Sequence, residues 1–444
     1  MSLLTISFIY ESGSLIEIYK LSNNYVRVFK NVISNRNVIT IAFTTSLISL
    51  SSQAYRPYWS AYLKDVLLAN TVVIGLLSSI SSSENLLFQL PGGILADRYG
   101  RRKIIVYGTA LRILPPIIYL LATHWTHIIP ALLIAGTQSI YMPAFNAIIA
   151  DSLPKEERGA GYGAYRMITS MPQFISPLMG GLVMDWLGYQ QGIKVFMIFD
   201  FFISVFVTYS RWKMLNETIE FDDGPGTTGR PRVSIKDSIK TVFQLGSTVK
   251  VLVLVTFLSS IGTRMVNDFL SLYALKVLNF SNTQLGLVTT VGGLISILLS
   301  MPAGMLSDRL GRKPMILISR TVSPLASFSV TQVTSFSHYF AIQFVNSIGN
   351  AMGGGGMFAG GPAWNALVSE LVPKEKLATV MGSIGTISGL ISIPSPIIGG
   401  WLWDEYSPKI PFFVSMVFGL LGAAVFALGV KEPERQKPVQ TVTH

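Results

Sequence analysis

Apolar residues in this chain come in long runs broken by short polar turns, from about residue 38 to residue 430. Runs of eighteen or more are long enough to cross a hydrocarbon core of about 30 Å as helices. The pattern predicts twelve spans, numbered here in order: 38–62, 71–96, 103–123, 127–150, 160–186, 192–210, 250–275, 283–306, 314–335, 338–369, 377–402 and 409–430. One long polar stretch, 211–249, interrupts them. It holds Arg211, Lys213, Glu217, Glu220, Asp222 and Asp223, then Gly224-Pro225-Gly226-Thr227-Thr228-Gly229, the composition of a flexible linker. The expected organisation is an N-terminal segment 1–37, a six-span bundle 38–210, a linker 211–249, a second six-span bundle 250–430 and a tail 431–444. That is an all-α integral membrane protein of twelve transmembrane helices in two pseudo-symmetric six-helix bundles.

The two halves repeat. Gly93-Ile94-Leu95-Ala96-Asp97-Arg98-Tyr99-Gly100-Arg101-Arg102 returns 211 residues later as Gly304-Met305-Leu306-Ser307-Asp308-Arg309-Leu310-Gly311-Arg312-Lys313. Pro143-Ala144-Phe145-Asn146-Ala147 returns 219 residues later as Pro362-Ala363-Trp364-Asn365-Ala366. At the same offset, Ser176-Pro177-Leu178-Met179-Gly180-Gly181 with Asp185 returns as Ser395-Pro396-Ile397-Ile398-Gly399-Gly400 with Asp404. Parallel half-repeats of six spans are a transporter architecture, with the substrate site between them near mid-membrane.

Composition narrows the class. Half the residues are apolar, 13% are charged and the mean hydropathy is +0.50, too little polar surface for a soluble chain of this length. The net charge of +11 does not point to nucleic acid, because its distribution is lopsided. Of 34 Lys and Arg, Lys64, Lys194, Lys276 and Lys409 fall in one set of loops. Arg56, Arg112, Arg166, Arg264 and Arg320 fall within spans, and the remaining 25 lie in the alternate loops and tails. The positive-inside rule then places both termini in the cytoplasm, and a plasma-membrane location is expected. The chain has no cysteine, which excludes disulfides, thiol catalysis and thiolate metal sites. The four histidines show no metal-site spacing, and no nucleotide-binding loop is present. No cofactor is expected, and the chain does not read as an enzyme.

The repeated Gly-x-Leu-Ala/Ser-Asp-Arg-x-Gly-Arg loops, between spans two and three and again between eight and nine, resemble those of the major facilitator superfamily. The resemblance covers about residues 38–430. It implies two six-helix bundles, alternating access to a central cavity, and cavity walls made by spans one, four, seven and ten. It also implies that Asp97 and Asp308 latch the bundles at the cytoplasmic side, Asp97 on the start of span eleven and Asp308 on the start of span five. Arg101 would pair with Asp151 and Arg312 with Glu370; alternatively the loop arginines only hold lipid headgroups. Gly100 allows a tight turn and Gly93 a close helix approach; Arg98, Gly304, Arg309 and Gly311 complete the motif pair. The chain departs from drug/proton antiporters of the family: Ala131 and Asn350 stand where an arginine would be expected, and Ser176 precedes Pro177 where glycine is usual. The Pro-x-x-Gly-Gly element therefore reads as helix packing with a kink.

Charges inside spans need a partner or a wet cavity. Glu84, Arg112, Arg166 and Asp200 form a net-neutral set in the first bundle, with depths that suit a Glu84–Arg112 pair. The set reads either as a structural ion-pair network or as a proton relay through Glu84 or Asp200, with Asp268 a further candidate in span seven. Candidate substrate contacts are Gln53, Arg56, Gln138, Tyr141, Arg264, Asn267, Asn346 and Asn350. Arg56 and Arg264, one from each half, would suit an organic anion; alternatively Asp268 neutralises Arg264 one turn on and Arg56 snorkels outward. Gly353-Gly354-Gly355-Gly356 with Gly360-Gly361 in span ten reads as close packing or a bending span, since a phosphate cradle would need a strand–loop–helix context. The expected function is secondary active transport of a small organic solute by alternating access, proton-coupled, by a monomer in the lipid bilayer. The alternatives are a passive uniporter, or a membrane receptor or scaffold with the same fold.

Overall fold

The computed structural model describes residues 34–153, 158–218, 247–353, 362–372, 380–381, 384–386, 389–390 and 393–430. Among the described residues there are helices and no strands. Seven helical stretches among the described residues are long and apolar enough, by length and composition alone, to cross a membrane, among them Arg36–Asp65, Arg101–Leu121, Trp125–Asp151 and Ile410–Gly429.

Local chemistry sets where the spans turn and break. Gly100 (φ 95°) and Gly311 (φ 108°) each end one helix, Thr71–Tyr99 or Asn282–Leu310, and start the next. That backbone region carries a steric penalty for residues with a Cβ. Span three runs as Arg101–Leu111 and Leu114–Leu121, because Pro115 and Pro116 offer no N–H to the carbonyls one turn earlier. Span four also runs in two pieces, Ile128–Gly136 and Gln138–Asp151. Span five begins as the helix Arg158–Ser170, and its remainder joins span six in the stretch Pro172–Met214, broken at Gly188 (φ 74°).

The spans pack as two bundles. Span one lies along Pro172–Met214, and span four against spans two and three; span seven packs on span twelve, and span nine on spans ten and twelve. The bundles meet where span eight lies on Pro172–Met214 and where span eleven lies on span two. The end carrying Gly100 and Gly311 is called here the loop end, and the opposite one the far end.

The buried apolar residues divide unevenly between these ends. At the far end one cluster draws on both bundles, joining Tyr58, Tyr62, Leu77 and Met184 to Met265, Phe269, Leu285 and Trp403. Toward the loop end two clusters stay apart. One holds Val38, Ile105, Phe145 and Ile148 of the first bundle; the other holds Val255, Ile316, Trp364 and Phe426 of the second. The described core is thus joined at the far end and split at the loop end.

Candidate functional site

The breaks in spans three and four place the buried charges. Arg112 closes the first helix of span three. Its Nη2 donates to both oxygens of Asp200, at 2.7 and 3.1 Å. Its Nη1 donates to Gln138 Oε1 at 3.2 Å, just past the break in span four. Tyr141 Oη lies 3.4 Å from the same Gln138 oxygen. Arg112 and Asp200 are both buried, and such a pair holds only if hydrogen bonds satisfy the remaining polar atoms.

This corrects the four-charge network expected from sequence. Glu84 does not reach Arg112. It is buried against Gly136, where an added Cβ would lie 2.5 Å from the Glu84 Cβ. Its Oε1 has no hydrogen-bond partner among the described residues. Arg166 is exposed, away from the pair. Of the two residues expected on the cavity wall, Tyr141 is buried inside the first bundle and Gln138 is half-buried beside Arg112. Tyr141 is buried on Gly108, edge-on to Phe145 at 4.9 Å between centroids.

Arg211 was expected to begin the linker, but the structure buries it completely. The helix runs on to Met214. Its guanidinium donates to the hydroxyls of Thr44 (3.0 Å), Thr109 (2.7 Å) and Thr45 (3.4 Å) and stacks 4.6 Å from the Phe145 ring. Arg320 repeats the device in the second bundle, donating to Ser259 Oγ at 2.5 Å over the Trp364 ring at 4.5 Å. Phe145 and Trp364 are the matching aromatic residues of the Pro-Ala-x-Asn-Ala repeat. That spacing was the one available signal, and it did not point to arginines arriving from different spans.

Two seams join the bundles. In one, span eight meets spans one and five. Tyr58 Oη lies 2.7 Å from Pro177 O and 3.1 Å from Asn282 O. Asp185 accepts from Asn282 N (2.9 Å), Asn282 Nδ2 (2.8 Å) and Thr283 N (2.8 Å). In the other, span two meets spans seven and eleven. Asp404 accepts from Thr71 N (3.1 Å) and Val72 N (3.4 Å), and Thr71 Oγ1 donates to Gly400 O at 2.9 Å. Deeper along this seam Ser78 Oγ donates to Asp268, Ser79 Oγ donates to Ile393 O at 2.5 Å, and Arg264 Nη1 donates to Ser82 Oγ at 3.0 Å. Lys276 pairs with Asp65 at the far end.

Of the remaining candidates, Arg56 is exposed and Gln53 half-buried. Asn267 Nδ2 donates to Asp268 Oδ1 at 3.3 Å. Gln343, Asn346 and Asn350 form an amide chain along span ten, at 3.2 and 3.4 Å. Gln343 also lines a cavity of about 220 Å³ between spans seven, eight and ten, with Ser271, Thr289, Ser296, Tyr339 and Ser347. Thr289 and Ser296 come from span eight, which the resemblance does not place on the cavity wall.

At the loop end Arg101 pairs with Asp151, and Arg312 Nε lies 3.4 Å from Glu370 Oε1. Glu217 accepts from Arg101 N (3.3 Å) and Arg102 N (3.0 Å). Arg98 lies over the Tyr99 ring and Arg309 is exposed. An added Cβ on Gly304 would meet open space. The side chains of Asp97 and Asp308, the surroundings of Gly93, and residues 354–361 of the glycine run lie outside what the structure describes. Among the described residues no group of three His, Asp or Glu side chains is placed to hold a metal ion.

Comparison with known proteins agrees with this architecture. Over 340 residues the chain is 25% identical to a protein described as a multi-drug resistance efflux pump PmrA homolog of Lactococcus lactis, covering 76% of this chain and 78% of the relative. The solved nucleoside transporter NupG superposes with a TM-score of 0.71 at 13% identity, covering 89% of this chain and all of that one. A bacterial homolog of the human lysosomal transporter Spinster gives 0.69 at 14% identity, covering 89% and 97%. The family model of the Major Facilitator Superfamily matches residues 41–237 and 252–443; with the paired bundles and the doubled loops, the chain belongs to that superfamily of multi-pass membrane transporters.

Proposed function

We propose that the protein is a proton-coupled secondary transporter that moves a small organic solute by alternating access, with Glu84 as the proton-carrying side chain. The observation that carries this reading is Glu84 itself: a carboxyl buried in span two, beside Tyr119 and Gly136, with Arg112 already engaged by Asp200. A buried carboxylate without a cation is costly, so the group is stable there as the neutral acid. It would ionise when the first bundle is wetted.

The joined far-end core and split loop-end core support a conformer open at the loop end. The positive loops support a cytoplasmic placement of that end, so the conformer is read as inward-facing, with both termini on the cytoplasmic side of the plasma membrane. One chain carries both bundles, so a monomer suffices. Arg264 is engaged by Ser82 and faces Asp268 one turn on, so the second arginine of an anion clamp is neutralised within the seam. The cavity near Gln343 offers hydroxyl and amide groups beside apolar walls, which suits an uncharged or amphipathic solute. The description of the Lactococcus relative supports export.

The test uses proteoliposomes holding a pH-sensitive dye and a solute picked by thermal-shift screening of anions, sugars and amphipathic cations. Solute addition should move protons. Glu84→Gln should abolish pH-driven accumulation and spare solute exchange; unchanged pH dependence in this variant would falsify the role of Glu84.

A further inference from the structure

The Ser-Pro-x-x-Gly-Gly…Asp repeat occupies both seams. Asp185 and Asp404 each stand eight residues after the proline of their copy. Each carboxylate sits on the first turn of a helix in the opposite bundle, Asp185 on Asn282–Leu310 and Asp404 on Thr71–Tyr99. The first turn of any helix leaves its N–H groups unpaired, and here the work is divided. The helix's own cap takes the third: Asn70 Oδ1 accepts from Val73 N, and Ser281 Oγ from Gln284 N. The aspartate from across the seam takes the first and second.

We propose that Asp185 and Asp404 are the releasable fasteners of the far gate, and that the Asp404 fastener parts first. The proposal rests on the alternating-access reading. For the far end to open, both carboxylates must leave these N–H groups, so the bonds stabilise the closed state alone. Their charge matters as well as their shape, because an anion is favoured at a helix N-terminus and its hydrogen bonds are shorter and stronger than neutral ones. The order follows from the distances. Asp185 has three donors at 2.8–2.9 Å; Asp404 has two, at 3.1 and 3.4 Å.

Because the chain has no cysteine, spin labels can be added to the full-length protein in nanodiscs without removing native residues. Leu68→Cys with Tyr406→Cys reports the far end, and Lys103→Cys with Pro314→Cys the loop end; all four positions are exposed. Pulsed dipolar spectroscopy of the far pair should show mainly the short distance. Asp185→Asn should raise the ratio of open to closed populations at least tenfold, with a matching shortening at the loop end, and Asp404→Asn about threefold. Asp185→Glu should restore most of the closed population, which a mere packing role would not do. Should Asp185→Asn fail to fold, Asn282→Pro removes two of the same donors at a position where helices accept proline, and should act alike. An Asp404→Asn effect equal to or larger than that of Asp185→Asn overturns the order. No change in any of these variants, while the parent still shows two populations, overturns the fasteners and leaves alternating access standing. If even Gly286→Trp, wedged against Pro177, produces no second population, alternating access itself fails and the proposal with it.

Discussion

The two seams begin alike and then diverge. At the far end both have an aspartate on a helix start and a glycine pressed on the opposite backbone, Gly286 near Pro177 O and Gly75 near Pro396 O. Toward mid-membrane the span-eight seam presents Gly293 to the Phe174 ring. The span-two seam presents Ser78, Ser79 and Ser82 to Asp268, the Ile393 carbonyl and Arg264. The duplicated halves kept the closing device and changed what lies beneath it. Both seams thus share the aspartate on a helix start, though not its strength, whereas the charged pair Arg264 and Asp268 lies on one seam alone among these contacts. Glu84 stands two residues beyond Ser82, where a helix turns to another face, and it meets span four of its own bundle instead of the seam.

The largest expected effects separate bundle from seam within each Gly-Gly pair. A Cβ on Gly180 would strike Ala54 O, and one on Gly399 would strike Met265 O, both within one bundle. A Cβ on Gly181 would lie 2.5 Å from Asn282 O, and one on Gly400 would strike Thr71 O, both across a seam. Overpacking of this kind costs about 1–3 kcal/mol. Gly180→Ala and Gly399→Ala should therefore lower the melting temperature of the solubilised protein. Gly181→Ala and Gly400→Ala should leave it nearly unchanged and raise far-end access to a membrane-impermeant label. Equal melting losses in all four variants would erase the distinction.

The polar rungs come next. Asp268→Asn leaves Arg264 without its neighbouring negative charge and weakens the bond from Ser78. A hydrogen bond to a charged group is worth about 1.5–3 kcal/mol, so this variant should shift solute transport strongly. Phe174→Leu, beside Gly293 on the other seam, exchanges one apolar side chain for another and should leave transport nearly unchanged. Transport kinetics with the screened solute compare the two directly, and similar losses would mean that the seams do not differ in function.

Local features of this fold are legible in the sequence, whereas contacts between distant spans are not. The helical spans and the turns at Gly100 and Gly311 follow from local pattern, and among the described residues the structure shows helices and those two turns there, with span six running on past its expected end to Met214. The partners of buried charges do not follow. Counting rise along span three placed Arg112 beside Glu84, but the break before Pro115 and Pro116 and the break at Thr137 turn Arg112 toward Asp200 and Gln138. Arg211 was hidden by its neighbours: Lys213 and Glu217 make the segment look solvated, while the three threonines that hold Arg211 come from two other spans. Tyr141 was assigned to the cavity because span four lines it in the resembling family, yet the face of a span is set by packing, which no single sequence displays.

Smaller effects test the shared clasp. Tyr58→Phe removes one hydroxyl between Pro177 O and Asn282 O at a buried position. The loss is one hydrogen bond, about 1 kcal/mol, and far-end opening should rise by a few-fold in the label-access assay. The smallest effect belongs to Asp65 and Lys276. Both side chains are about one-third exposed, and a surface pair of this kind contributes about 0–1 kcal/mol. Asp65→Asn should change far-end opening by less than Tyr58→Phe does. Whatever difference it makes at low salt should fade as ionic strength rises toward 1 M, where the screening length falls to about 3 Å. The effect of Asp185→Asn should persist at that salt, because its carboxylate is bonded directly to backbone N–H groups. If the two aspartate variants lose their effects in parallel as salt is added, the far gate is held by general surface charge, and the distinction between a built fastener and a passing ion pair collapses.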